Sequence, residues 1–212
     1  MRTVGWVVFA SLAAALLDGC VVPLVAGGAA VGGAVVATDR RDVGIQLEDG
    51  RIESRVNRAL LDNIPEGQMN IDVTCYDGKV LLAGQVKTAE QRALAEAVAS
   101  KVEHVREVAN EVTVGPIATV GDRTDDTLLA GKVKAALVGA EGVPTGIVLT
   151  TVDQSVVYLM GKVTPAEGDA AARAASRVSG VRRVVKLFEL VSDRDVAAIK
   201  KSQEQPPNSV KN

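Results

Sequence analysis

Residues 71–84 read IDVTCYDGKVLLAG, and this stretch decides the fold. Apolar and polar residues alternate up to Cys75, which is typical of a strand with one buried face. Asp77-Gly78 follows, and this dipeptide favours a type I′ turn, whose two central residues need positive φ. A second apolar stretch then runs to Gly84. The sequence therefore predicts an antiparallel hairpin.

Helical patterns lie on both sides of this hairpin. After it, Thr88 and Gln91 form a capping box that begins a helix over about residues 88–102, and a last strand ends at Val114. A strand, a helix and a strand in this order form a right-handed parallel crossover. We predict an α+β module of order αββαβ, with a mixed three-stranded sheet and two helices on one of its faces. The first helix is indicated by apolar residues at helical spacing, namely Ile52, Val56, Ala59 and Leu60.

The pattern occurs twice in the chain. Repeats of solenoid proteins are usually roughly 20–50 residues long, so a longer repeat indicates two copies of a globular module. A shift of 77 residues places Val56 on Val133, Leu60 on Leu137, Gly84 on Gly161 and Glu90 on Glu167. The second copy is predicted to contain a helix near 126–138, strands near 147–152 and 156–162, a helix capped by Thr164 and Glu167, and a last strand near 183–190.

The repeat divides the chain into segments. We assign the first module to residues 50–114, a linker to 115–123 and the second module to 124–191. Residues 192–212 are polar and contain proline, so we expect a disordered tail there. Gly84 and Gly161 close the second strand of each module, and we predict that they are structural glycines.

Composition excludes several classes of function. The 212 residues have a net charge of −2 and five aromatic side chains, so neither phosphate contacts nor base stacking suggest a nucleic-acid partner. One histidine, His104, and two cysteines, Cys20 and Cys75, argue against a metal cluster or a Ser-His-Asp triad. We expect His104 to be a solvated turn residue and Cys75 a small buried side chain. The chain is predicted to be no enzyme and to need no metal or cofactor.

The N-terminus is predicted to be an export signal. Arg2 precedes an uncharged apolar run of 14 residues, at positions 4–17. A membrane-spanning helix needs about 20 such residues, whereas the core of a secretory signal needs roughly 7–15. We therefore assign residues 1–19 to a signal peptide.

The signal ends in Leu17-Asp18-Gly19-Cys20, which resembles the lipobox of bacterial lipoproteins. The resemblance implies that Cys20 is acylated and becomes the mature N-terminus; the alternative is an ordinary cysteine behind a signal. Val21 follows, where Asp would imply retention in the inner membrane, so the outer membrane is implied. Residues 20–49 then form a lipidated tether rich in Gly, Ala and Val, although the spacing of its glycines would also suit helix packing.

The two modules differ in charge and in their first helix. Residues 50–114 carry 8 basic and 10 acidic side chains, whereas residues 124–191 carry 8 and 7. Leu128 stands where the first module has Arg51, so we expect only the second module to expose an apolar face beside positive charge. That face suits an anionic membrane surface, but packing between the modules would also bury it. Its residues, at about 100° per residue, are Leu128, Gly131, Lys132, Ala135 and Val138.

The αββαβ order with Gly84 and Gly161 resembles the BON domain. Two such domains behind a lipobox, together with residues 38–44 (TDRRDVG) and 174–181 (AASRVSGV), resemble the dual BON-domain outer-membrane lipoproteins over residues 1–191. The resemblance implies a lipid-anchored protein on the periplasmic face of the outer membrane. It also implies support of envelope integrity, enrichment at division sites and a link to envelope stress.

The resemblance further implies that the first helix of the second module binds anionic phospholipid, phosphatidylglycerol above all. By position, this role falls on Leu128, Leu129, Lys132, Lys134 and Val138. Periodicity also makes Leu129 a core candidate, and members of this group carry Trp where this chain has Leu128. Two alternatives stay open: a protein-binding envelope adaptor that uses the same helix face, and a freely soluble periplasmic stress protein if Cys20 is not acylated.

Overall fold

The computed structural model describes residues 39–204. The first module contains α1 (Val43–Asn63), β1 (Met69–Tyr76), β2 (Lys79–Val86), α2 (Ala89–Ala99) and β3 (Glu107–Val114). The second contains α3 (Val120–Val138), β4 (Leu149–Asp153), β5 (Val156–Met160), β6 (Lys162–Val163), α4 (Pro165–Ser176), β7 (Arg183–Lys186) and β8 (Glu189–Leu190). A last helix, α5 (Asp193–Glu204), follows. The predicted α+β class and the two αββαβ modules are confirmed.

Each module has a mixed three-stranded sheet built on the predicted hairpin. β1 pairs antiparallel with β2, and β2 pairs parallel with β3. The second sheet repeats this order as β4, β5 and β7, and β6 and β8 form a separate parallel pair. Both hairpin turns have two residues at positive φ: Asp77 (50°) and Gly78 (73°) in the first, Gln154 (48°) and Ser155 (60°) in the second.

One aspartate in each first helix holds the hairpin turn in place. Asp49 accepts hydrogen bonds from the backbone N–H groups of Asp77 (2.7 Å) and Gly78 (2.9 Å). Asp126, 77 residues later, accepts the same pair of bonds at 2.7 and 2.9 Å from the second turn. The buried Cys75 thiol donates to Asp49 (3.1 Å), and burial raises the pKa of this thiol. The turn and the helix are therefore fixed together in both modules.

The two sheets pack against each other through the faces that point away from the helices. Because side chains alternate along a strand, β2 sends Val80 and Leu82 into the core beneath the helices of its own module and Leu81 and Ala83 to the other face. The latter pack with side chains of the second sheet in a third core, formed by Tyr76, Leu81, Ala83, Tyr158 and Met160. The layers therefore run helix, sheet, sheet, helix.

Polar contacts across this interface follow the 77-residue repeat. The hydroxyl oxygens of Thr74 and its counterpart Thr151 lie 2.9 Å apart. The Tyr76 hydroxyl accepts from the backbone N–H of Lys162 (3.1 Å). In the repeat, Asp153 corresponds to Tyr76 and Gln85 corresponds to Lys162. This second pair is also in contact, since the side-chain amide of Gln85 donates a 2.6 Å hydrogen bond to Asp153. The modules thus meet as two similar subunits do across a pseudo-two-fold axis.

The sequence predicts a tether over residues 20–49, but the last part of this segment is folded. Residues 43–49 belong to α1, and the two arginines before it are buried in ion pairs. Arg40 makes two 2.7 Å bonds to Glu167 of the second module. Arg41 pairs with Asp49 (2.7 Å) and lies 4.1 Å over the Tyr76 ring. This segment therefore joins both modules.

Two further boundaries differ from the prediction. The linker expected at 115–123 is shorter because the capping box of Thr119 and Asp122 begins α3 at Val120. The tail expected to be disordered from residue 192 begins with α5, whose start is fixed by hydrogen bonds between Ser192 and Asp195. The signal peptide at 1–19, the acylation site Cys20 and most of the tether lie outside the described residues.

We predict that Gly84→Ala lowers the free energy of unfolding by more than about 1 kcal/mol. Gly84 has φ 139°, and a Cβ there would lie 2.0 Å from the carbonyl oxygen of Asn70. Gly161→Ala should behave alike, since its Cβ would lie 2.3 Å from the Ile147 oxygen. Gly131→Ala is the matched control: this position in α3 has open space, so stability should stay equal or rise. Urea unfolding measures all three, and equal stability of the first two variants to the wild type would contradict the prediction.

We also predict that Asp153→Asn stabilises the protein at neutral pH and not in acid. Asp153 is buried at the interface, and this burial raises the pKa of its carboxyl group. Repulsion from Asp126 and Asp72 raises the pKa further, whereas the hydrogen bond from Gln85 lowers it. A carboxyl group whose pKa is higher in the folded than in the unfolded chain makes folding less favourable as pH rises through that range. Asparagine keeps an acceptor for Gln85 and stays neutral. Urea unfolding between pH 4 and 8 should show that the variant gains free energy of unfolding over the wild type as the pH rises. A difference in stability that does not change with pH would contradict this assignment.

Candidate functional site

The second-module helix α3 presents one buried and one open face. Leu129, Val133 and Leu137 pack into the module core. The resemblance to the family predicted that Leu129 binds lipid. Leu129 is only 6% exposed, so it belongs to the core and does not lie on the open face. The physical reason is its position on the helix, about 100° away from Leu128.

The other predicted residues lie on the open side of α3. Leu128 and Val138 are 61% and 62% exposed, and Gly131, Ala135, Lys132 and Lys134 are exposed as well. At about 100° per residue, the two lysines lie on either side of the arc that carries the apolar and small residues. We call this set the α3 face: Leu128, Gly131, Lys132, Lys134, Ala135 and Val138. Packing between the modules does not bury it, because the modules meet through their sheets.

A groove of about 430 Å³ adjoins the α3 face. Lys134 and Val138 form part of its wall, with the loop at residues 143–146. Glu53 of α1 and Thr74 of β1 complete it from the first module. The groove therefore runs between α3 and α1, along the edge where β1 and β4 meet at Thr74 and Thr151.

The first module also exposes an apolar and basic helix face. Val43, Leu47 and Leu61 of α1 are 72%, 61% and 69% exposed, and Arg51 and Arg58 beside them are exposed. The prediction that only the second module exposes such a face is therefore wrong. Comparing Leu128 with Arg51 alone missed it, because α1 begins before the residue at which the module was expected to start. We call these five residues the α1 face.

His104 supports the structure near the start of α1. It adopts a left-handed turn conformation (φ 68°), and its Nδ1 lies 2.8 Å from Glu48 Oε1. Together with bonds from Arg51 and Arg55, this contact lowers the pKa of Glu48 to about 2. His104 is exposed at a turn, as expected, but it is also tied to the first helix. Within residues 39–204, no group of His, Cys, Asp and Glu side chains is arranged to hold a metal ion.

Comparison with known proteins identifies both modules. The model of the BON domain matches residues 48–116 and 125–192. The chain is 36% identical to the outer membrane lipoprotein DolP of Haemophilus influenzae, over 82% of this chain and 89% of that protein. It is 34% identical to a 21 kDa hemolysin of Actinobacillus pleuropneumoniae (72% and 79% covered) and 30% identical to osmotically-inducible protein Y of Escherichia coli (72% and 77%).

The similarity to DolP confirms the outer-membrane localisation expected from the sequence. Acylation of Cys20 itself stays a prediction. Across residues 39–204, none of the helices is both long and apolar enough to span a bilayer. Since its two matched segments cover more than half of its length, this chain belongs to the BON domain family, as a member with two domains in tandem.

Proposed function

We propose that this protein binds anionic phospholipid, phosphatidylglycerol above all, through the α3 face of its second BON domain. It does so without catalysis, at the periplasmic side of the outer membrane, and so supports envelope integrity, including at division sites. The observation that carries the proposal is the exposure of Leu128 and Val138 beside two lysines after the modules have packed together. The similarity to an outer-membrane lipoprotein supports the envelope role.

The composition of the α3 face matches the surface of an anionic bilayer. Burial of a leucine or valine side chain contributes roughly 1.5–3 kcal/mol, and a lysine near anionic headgroups contributes about 1 kcal/mol. Gly131 and Ala135 lie between the larger side chains, so the helix can approach the headgroup layer closely. Two aliphatic side chains and two lysines support weak and reversible binding on their own.

Acyl chains at Cys20 would make this weak contact effective. Tethering turns a second binding event into an intramolecular one, which raises the effective concentration of the helix at the membrane to roughly the millimolar range. The anchor keeps the protein at the outer membrane, and the α3 face selects the lipid. Leucine at position 128 lacks the interfacial preference of tryptophan, so anchoring matters more in this chain.

We predict that Leu128→Glu weakens binding to phosphatidylglycerol vesicles at least tenfold. The substitution removes an inserting side chain and adds a charge that anionic headgroups repel. Residues 21–212 serve for flotation assays, because they lack the acyl anchor that would mask the effect. Leu190→Glu is the matched control, since Leu190 is 64% exposed and belongs to β8 rather than to α3. Equal binding of the Leu128→Glu variant and the control would contradict the proposed lipid binding and favour a protein-binding adaptor.

Charge should contribute separately. We predict that Lys132→Ala and Lys134→Ala each weaken vesicle binding about fivefold at low salt, the equivalent of about 1 kcal/mol per basic residue. The exposed Lys101 of the first module provides the control as Lys101→Ala. Added salt should reduce binding of the wild type more than that of either variant, because screening weakens exposed charge interactions. Binding that is indifferent to both phosphatidylglycerol content and salt would refute the electrostatic part.

A further inference from the structure

We propose that the second BON domain binds the phosphates of lipid headgroups through a basic surface on α4 and β7, beside the α3 face. This inference rests on the proposed lipid binding and deepens it: the α3 face supplies the inserting side chains, and the second surface holds the phosphates. Its four side chains are all exposed. We call this set the α4 basic surface: Arg173, Arg177, Arg182 and Lys186.

The helices α3 and α4 lie in the same outer layer of the molecule. Both cover one face of the second sheet, and α4 contributes Ala171 and Ala175 to the core that α3 also enters. At about 100° per residue, Arg173 lies roughly 160° from each of these alanines, so it points away from the sheet. The α3 face points away from the same sheet. A flat membrane that meets one helix can therefore meet the other.

The positive charge of this region is specific to the second module. Residues 165–186, from the start of α4 to the end of β7, contain five basic and two acidic side chains. The equivalent residues of the first module, 89–110, contain three basic and four acidic ones, in an alignment set by the capping boxes of Thr88 and Thr164. The same fold therefore carries a net charge of +3 in one module and −1 in the other.

The protein neutralises this surface only in part. Arg173 and Arg177 form no ion pair within residues 39–204, and Arg182 donates to a backbone carbonyl oxygen (3.1 Å). Lys186 pairs with Asp169 at 3.1 Å, and both side chains stay exposed. The first module has different residues at these four positions, namely Ala97, Lys101, Arg106 and Asn110. Two free guanidinium groups therefore distinguish the second module.

A groove of about 480 Å³ lies between α4 and β7 and borders this surface. Arg173, Arg182 and Lys186 line it, together with the small side chains of Ala172 and Ser176. Arginine binds phosphate through two parallel hydrogen bonds, which adds a defined geometry to the attraction of charges. The groove therefore offers donors to a phosphate and leaves room for a headgroup.

The neighbouring α3 face favours a bilayer as the source of these phosphates. A soluble anion would need only the basic groove, whereas the exposed Leu128 and Val138 in the same layer call for an apolar surface as well. An anionic bilayer presents both, and each basic residue near its surface strengthens binding about fivefold. Arginine can also lay its apolar stem along the hydrocarbon boundary while its guanidinium stays among the headgroups.

The first test removes two charges from this surface, with Arg173→Gln and Arg177→Gln combined in residues 21–212. We expect flotation to show binding to phosphatidylglycerol vesicles at least fivefold weaker than that of the wild type. The matched control, Arg58→Gln with Lys101→Gln, removes two exposed charges from the first module and should bind as the wild type does. Thermal unfolding checks that the exposed substitutions leave the fold intact.

The comparison with Leu128→Glu separates this inference from the proposed function. Unchanged binding of the double arginine variant, with loss in Leu128→Glu, would overturn the inference and leave the proposed function standing. The α4 basic surface would then be assigned to an acidic protein partner. An equal loss in the first-module control would mean that net charge alone acts, and it would also overturn the inference. If all variants bind as the wild type does, both proposals fail.

A second test needs no loss of binding. Residues 21–212 contain one cysteine, the buried Cys75, so Ser176→Cys offers a single exposed thiol for an environment-sensitive fluorophore. Ser100→Cys is the control, because Ser100 is the equivalent exposed residue of the first module and also donates to a backbone carbonyl oxygen of its own helix. Phosphatidylglycerol vesicles should change the emission at position 176 and not at position 100. A response at both positions, or at neither, would overturn the inference.

The label at position 176 also separates two sources of phosphate. Glycerophosphoglycerol is the headgroup without its acyl chains, so it lacks the apolar surface that the α3 face needs. We expect no change in emission when it is added at the phosphate concentration of the vesicles. A change as large as that caused by vesicles would assign the surface to free phosphate esters and overturn its assignment to a bilayer.

Discussion

The architecture depends on the packing of the two β-sheets between the modules. Tyr76 and Leu81 of the first sheet and Tyr158 and Met160 of the second are buried in this interface. Each sheet has one face against its own helices and one against the other sheet, so both faces are covered. The helices consequently form the outer layers, and their outward sides have no neighbour in the described part of the chain.

This arrangement determines what each module can offer to a partner. The shared repeat places α1 and α3 in equivalent positions, and both keep a row of apolar residues opposite their core side. Their sequences differ: α3 groups Gly131 and Ala135 between Leu128 and Val138, whereas α1 spreads its aliphatic residues along a longer helix with arginines between them. Together with an acylated Cys20, the α3 face would distribute a modest affinity over two points of attachment.

Local signals explain what could be predicted from the sequence. The Asp77-Gly78 turn, the capping boxes of Thr88 and Thr164, and the glycines Gly84 in β2 and Gly161 after β5 all act within a few residues. Leu128 and Val138 were placed on the open side of a helix by periodicity alone, and they are exposed. The capping pair Ser192 and Asp195 was present in the sequence but was overlooked in the polar tail.

Long-range contacts explain what could not be predicted. Arg40 finds Glu167 across 127 residues, and no local pattern indicates that such a pair exists. Face-to-face packing of the sheets depends on alternate residues such as Leu81 and Ala83. Because the strand is apolar on both faces, its sequence does not show what these residues pack against. The expected asymmetry between the modules failed because it rested on one aligned position rather than on the whole length of α1.

One fluorescence measurement tests the central claim directly. The single tryptophan of the chain, Trp6, lies outside residues 21–212, so Leu128→Trp provides a unique reporter on the α3 face. The account predicts a blue shift with phosphatidylglycerol vesicles, quenching by lipids brominated on their acyl chains, and no response to zwitterionic vesicles. An emission spectrum that does not change on any of these membranes would contradict it.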